Sequence, residues 1–177
     1  MARTGYMGGE IRHPEVGTET APPAWLNSAS IAAAVINYRW AWAILETLHF
    51  IGLVMLFIVV VLNLRVMGIM KQVSFAALHR LLPWAVVGFA INSITGMLFF
   101  IAAADQYTPN PAFYWKLLFI LLAGMNVLYL TVSEEPAMIG SGDDAPIRAK
   151  VMAASGIFLW FGVLFWGRLL PFLGLQF

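Results

Sequence analysis

Glu46 and His49 are the residues of this chain best suited to chemistry, because they stand three positions apart within an apolar stretch. In a helix this spacing places both side chains on one face. The histidine could ligate a haem iron or a copper ion, with Glu46 orienting the imidazole from beside it. The pair could also relay a proton or bind a quinone. The alternative is a hydrogen-bonded pair between helices with no cofactor, and the residues leave these interpretations open.

Two further residues extend this candidate site. Gly52 follows His49 by about one helical turn and would leave room for a flat macrocycle. Met97 lies in a later apolar stretch, at about the same expected depth as His49. A His/Met pair is a known haem ligation, and a thioether also suits Cu(I). We therefore expect haem b, with copper as an alternative, and Met97 as a candidate second ligand. Plain packing would equally explain a methionine in an apolar helix.

Three cations are expected near the same depth as His49. Arg39, Lys116 and Arg168 flank the predicted helices at one end of the protein. They could pair with the propionates of a haem or with anionic lipid headgroups. The aromatic residues around them are typical of anchoring at a membrane interface.

The sequence predicts no catalytic residue. It contains no nucleophile–base pair, no phosphate-binding glycine loop and no HExxH motif. A di-iron site in a helical bundle requires two Glu-x-x-His pairs and two further inward glutamates, whereas one such pair is present here. His79 cannot share a metal with His49, because it lies roughly 25 Å away along the membrane normal at a rise of about 1.5 Å per residue. We therefore do not expect this chain to be an enzyme by itself.

The composition excludes a water-soluble protein. Of the 177 residues, 61% are hydrophobic and 11% are charged, against roughly 45–50% and 25% in soluble domains. The net charge of +1 leaves no basic block to bind nucleic acid. The absence of cysteine excludes disulfides, thiolate metal sites and c-type haem attachment. An integral membrane protein remains.

The spacing of the charged residues predicts the membrane-spanning segments. A bilayer core of about 30 Å requires about 20 helical residues. The charge-poor stretches predict four transmembrane helices, at about 38–65, 80–104, 113–133 and 150–170. Residues 1–23 are predicted to be an irregular tail, and an amphipathic helix within 24–36 is expected to lie in the headgroup plane. The predicted fold is an all-α integral membrane protein, with a four-helix transmembrane domain over 24–177 that begins with this interfacial helix.

A stripe of small and polar residues marks the second predicted span. Gly88, Asn92 and Gly96 recur every four residues and so share one helix face. Small residues let helix backbones approach closely in membranes. We interpret the stripe as a packing surface, with a closely fitting ligand as the alternative.

The positive charges predict the orientation. Lys and Arg are enriched in the cytoplasmic loops of membrane proteins. The loop between the first two predicted helices carries Arg65, Lys71 and Arg80, and the loop between the last two carries Arg148 and Lys150. These two loops are therefore predicted to be cytoplasmic, with both termini on the periplasmic side of a bacterial inner membrane.

The order of several short motifs carries a resemblance to a known family. The motifs are Trp42, Glu46-Thr47-Leu48-His49 with Gly52, Asn63-Leu64-Arg65 with Gly68, Leu82-Pro83-Trp84 with Gly88, Thr95-Gly96, Phe113 with Lys116-Leu117, and Asn126. Together they resemble an uncharacterised bacterial four-helix membrane family, a domain of unknown function. They are also loosely similar in layout to copper-resistance D-type membrane proteins and to b-type four-helix cytochromes. The resemblance covers about residues 25–135 and implies a fold. The chain departs from the family's pattern where Asn63 replaces an acid and where no histidine occurs around Leu130 or Thr131.

Three functional classes are compatible with these features. The first is a redox or cofactor-binding membrane subunit that uses His49 near the outer leaflet for electron transfer. The second is a cofactor-free accessory subunit of a larger membrane complex. The third is a transporter of a metal or small solute, which the scarcity of charge within the spans disfavours. The expected partners are the lipid bilayer and other membrane subunits or further copies of the chain, with a quinone as a further candidate ligand.

Overall fold

A computed structural model describes residues 29–173, which are mostly helical and contain no β-strand. The helices are α1 (Ala29–Asn37), α2 (Ala41–Val66), α3 (Phe75–His79), α4 (Leu82–Ala102), α5 (Ala104–Tyr107), α6 (Pro111–Val132), α7 (Glu134–Ala137) and α8 (Ile147–Leu169). Helices α2, α4, α6 and α8 are long and apolar enough to cross a membrane, and α3 continues the apolar run of α4 on its N-terminal side. The predicted four-helix transmembrane bundle is confirmed. The predicted tail and the start of the interfacial helix lie outside the described residues.

Prolines and polar caps explain where the spanning helices begin. Helix α6 begins two residues before its predicted start because Pro111 occupies its first position, where a missing backbone N–H costs nothing. The side chain of Asn110 caps this helix by accepting a hydrogen bond from the Ala112 amide at 2.9 Å. The same side chain donates to the Leu170 carbonyl at 2.8 Å. The start of α6 is thereby bound to the end of α8.

The four spanning helices pack as two pairs. Helix α2 lies along α4, α6 lies along α8, and the pairs meet where α2 packs on α8. Helix α1 rests on α4 and α2, with Val35 buried. At one end of the bundle, Phe100 of α4 stacks on Phe113 of α6 with ring centroids 5.1 Å apart. We call this end, which contains the start of α2, the His49 end, and the opposite end the Arg65 end.

The closest approach between α2 and α4 is built on glycines. A methyl group on Gly88 would lie 2.6 Å from Cβ of Met55 and 2.7 Å from the carbonyl oxygen of Gly52. Such separations leave no room for a side chain. The packing interpretation of the small-residue stripe is therefore confirmed at Gly88, whereas a methyl on Gly96 would meet its nearest neighbour, His49, at an ordinary 3.9 Å.

Arg65 is fully buried at the end of α2 and binds the protein through backbone carbonyls. Its Nη2 atom donates to the Gly140 carbonyl at 2.6 Å and, more weakly, to the carbonyls of Lys71 and Asp143 at 3.3 Å each. Its Nε atom donates to the Val73 carbonyl. Two of these acceptors lie in the loop after α2 and two in the loop before α8. One guanidinium group therefore joins the two loops at the Arg65 end.

An ion-pair cluster covers the same loops from outside. The carboxylate of Asp144 forms salt bridges with Nζ of Lys71 at 3.1 Å and with Nζ of Lys150 at 2.8 Å. These two lysines lower the pKa of Asp144 to about 2. The resulting stabilisation is present above the usual carboxylate pKa near 4 and is lost as the pH falls towards 2. All three side chains are substantially exposed, so the cluster adds less than the buried Arg65.

We expect Arg65→Lys to lower the melting temperature (Tm) in detergent by at least about 5 °C, because an ammonium cannot reach carbonyls in two loops at once. Arg80→Lys is the matched control, since Arg80 is exposed and should tolerate the change. Thermal unfolding followed by circular dichroism measures both. Equal Tm values for the two variants would contradict the structural role given to Arg65.

Candidate membrane-embedded ligand site

His49 is half-buried on α2 and faces α4. Its Nδ1 atom lies 2.7 Å from the hydroxyl oxygen of Thr95, a residue that is almost fully buried. The Thr95 hydroxyl also lies 2.8 Å from the Ile91 carbonyl and 3.3 Å from the Asn92 carbonyl. Thr95 is therefore the group that orients the imidazole.

The direction of the hydrogen bond follows from proton counting. The Thr95 hydroxyl has one proton, and the carbonyls of Ile91 and Asn92 can only accept. We infer that the hydroxyl donates within its own helix and accepts the N–H at Nδ1 of His49. In the neutral ring the proton is then on Nδ1, and Nε2 keeps its lone pair. Nε2 has no hydrogen-bond partner in the described part of the chain, and it is not among the fully enclosed polar atoms.

Lys116 brings a positive charge to the same end of the bundle interior. Its side chain, on α6, lies over Gly167 of α8, where a methyl group would be 3.5 Å from Nζ. No ion pair of Lys116 occurs within residues 29–173. The site therefore combines a hydrogen-bond acceptor on His49 with a cationic donor on Lys116.

Aromatic rings form one wall beside His49. Phe99 presents its ring to the imidazole in an edge arrangement with centroids 5.9 Å apart, and Trp42 lies 4.8 Å from Phe99. Gly96 adds no side chain on the Cε1 side of the imidazole.

Glu46 lies outside the hydrogen bond that orients the imidazole of His49. Its side chain is exposed on the surface of α2, and the Nδ1 partner expected in Glu46 is Thr95 instead. The α2–α4 contact brings a polar residue of the neighbouring helix to the imidazole, which spacing along α2 alone cannot indicate.

Gly52 and Met97 are also placed differently from the predicted site. The space above Gly52 is filled by the Asn92 side chain and the backbone of Gly88, so no macrocycle fits there. Met97 is 58% exposed and lies two residues beyond Thr95, about 200° around the helix. Its sulfur therefore points away from His49 and cannot ligate a metal held by that residue in the same chain.

The remaining predicted cations lie on the protein surface. The guanidinium of Arg39 stacks on Trp40 at 5.1 Å, and that of Arg168 stacks on Phe172 at 5.0 Å. Both side chains are exposed. These contacts are typical of interface anchors.

Haem b and copper fit the described residues poorly. His49 offers one ligand, but the expected second ligand faces away and the expected space for the macrocycle is occupied. Within the described range, no cluster of three His, Asp or Glu side chains could hold a metal ion. Compared with protein-family models, curated proteins and solved structures, the chain matches none of them.

Proposed function

We propose that this chain is an integral subunit of a membrane redox complex and binds the headgroup of a quinone at His49 and Lys116. One observation carries the proposal. The hydrogen bond to Thr95 leaves the Nε2 lone pair of His49 available at the same end of the bundle at which the Lys116 side chain lies against Gly167.

The two side chains suit the two oxygens of a quinone headgroup. A quinol hydroxyl can donate to His49 Nε2, and the Lys116 ammonium can donate to the oxygen on the other side of the ring. The edge of Phe99 and the open side at Gly96 suit a flat ring, and an isoprenoid tail can remain in the lipid. The electron carriers that exchange with the quinone belong to partner subunits in this proposal.

An accessory subunit without a cofactor is the second candidate. It is favoured by Glu46, an ionisable side chain exposed on the surface of a membrane-spanning helix. Such a group is costly in contact with lipid. A helix from another subunit that covers Glu46 would remove this cost. The transport alternative has no comparable observation in its favour.

The proposed location is a bacterial inner membrane with both termini in the periplasm. The support is the excess of Lys and Arg around the loops at the Arg65 end. In whole cells, a cysteine placed at Gln72 should be protected from an impermeant thiol reagent, whereas one at Gln106 should react. The reverse pattern would invert the orientation, and the quinone site would then lie near the cytoplasmic face.

Titration with a short-chain quinone tests the proposed function. We expect His49→Gln and Lys116→Met each to weaken binding about tenfold or more, because each removes a hydrogen bond worth about 1–3 kcal/mol. His79→Gln is the matched control, since His79 lies at the Arg65 end. Quenching of tryptophan fluorescence can follow the titration in detergent or nanodiscs.

Two results would overturn the proposal. One is wild-type protein that binds no quinone, which would favour the accessory role. The other is a b-type haem band in the reduced-minus-oxidised spectrum that disappears in His49→Gln, which would restore the haem interpretation.

A further inference from the structure

Two buried amide oxygens lie where α2, α6 and α8 meet, well away from His49. Asn63 on α2 is 0% exposed and Asn126 on α6 is 2% exposed. The Oδ1 atom of each is enclosed and has no hydrogen-bond partner within the described residues. A buried polar atom without a partner is strongly unfavourable inside a bilayer, because no water is there to satisfy it. Two such atoms in one place require an explanation.

The orientation of both amides is fixed by helix carbonyls. Nδ2 of Asn63 donates to the Val59 carbonyl at 2.9 Å, and Nδ2 of Asn126 donates to the Met152 carbonyl at 2.7 Å. Rotating either amide by 180° would place its oxygen against a carbonyl oxygen. Each side chain therefore presents its acceptor, rather than its donor, to the centre of the bundle.

Gly156 on α8 brings the two acceptors together. A methyl group at this position would overlap Oδ1 of Asn126 and lie 2.7 Å from Oδ1 of Asn63. The two oxygens are thus neighbours beside the same Cα atom. Any larger residue at position 156 would displace both.

A partner for the two Oδ1 atoms must donate hydrogen bonds or carry positive charge. A metal cation is disfavoured, because the amides are neutral, no carboxylate is within the cluster, and a desolvated cation in the bundle would be costly. One water molecule, by contrast, has two protons for two acceptors and is the usual partner of otherwise unsatisfied buried groups. The indole N–H of Trp160, one turn further along α8, is also buried with no acceptor among residues 29–173.

We propose that an ordered water molecule binds between Asn63 and Asn126 beside Gly156 and joins α2, α6 and α8 through their Oδ1 atoms. This water molecule would connect the two helix pairs inside the bundle, whether or not a quinone binds at His49.

A double-mutant cycle tests the bridge energetically. Asn63→Leu and Asn126→Leu each leave the water with one acceptor, so each should lower the Tm. The double variant should lower it by clearly less than the sum, because the second change removes an oxygen that is already unpaired. Asn63→Leu combined with Asn92→Leu is the matched control. Asn92 also has an enclosed, unpaired Oδ1, but it lies at the α2–α4 contact, so these two effects should add.

A high-resolution structure and a salt series identify the bridging species. We expect density for one oxygen atom within hydrogen-bond distance of both Oδ1 atoms, and a Tm that is the same in Na⁺, Li⁺, K⁺ and choline buffers. A Tm that rises with one metal cation in the wild type, but not in Asn63→Leu, would replace water with that cation. A direct amide–amide hydrogen bond with no density between the side chains, or additive Tm effects in the cycle, would overturn the proposal.

Discussion

The guanidinium group of Arg65 has to satisfy its N–H groups without water, and the arrangement of the Arg65 end follows from this. It does so with carbonyl oxygens from two loops that are far apart in sequence. The loop after α2 and the loop before α8 must therefore fold against each other. Because α2 packs on α4 and α8 packs on α6, this contact also joins the two helix pairs. At the His49 end the two pairs are joined by the stacked rings of Phe100 and Phe113 instead of a buried charge.

The need to satisfy donors without water also determines which polar atoms of the bundle interior are left without a partner. Thr95, Asn63 and Asn126 each use their one donating group on a helix carbonyl. Backbone carbonyls are the most abundant acceptors in a helical bundle, so donors are satisfied first. Lone pairs are left over, on Nε2 of His49 and on Oδ1 of the two asparagines. The two asparagines therefore require a partner that donates, whereas the site at His49 combines an acceptor with the donating ammonium group of Lys116.

The sequence predicted the four spans and the main ligand candidate, His49. Long apolar stretches, and a polar residue within one of them, can be recognised from the sequence alone. It did not predict that Thr95 would be the partner of His49, although a signal was available. Thr95 follows Gly88 by seven residues, about two turns, and so lies on the stripe that faces α2. Met97 follows Gly88 by nine residues, about two and a half turns, and must face the opposite way.

Other features depend on tertiary contacts that no local pattern specifies. The carbonyl partners of Arg65 come from loops about 6–8 and 75–78 positions away, and spacing along a helix gives no information on them. The Asn92 side chain occupies the space beside Gly52, and this contact depends on the relative depth of α2 and α4. The convergence of Asn63 and Asn126 likewise requires the position of Gly156 on a third helix.

The central claim is that Thr95 holds His49 with its proton on Nδ1 and leaves Nε2 as an acceptor. Solid-state ¹⁵N NMR of histidine-labelled protein in bilayers tests this most directly, with His49→Gln used to assign the resonances. The account predicts a protonated Nδ1 and an unprotonated Nε2 for His49 near neutral pH, and loss of this preference in Thr95→Val. A proton on Nε2 with an unprotonated Nδ1 in the wild type would contradict it.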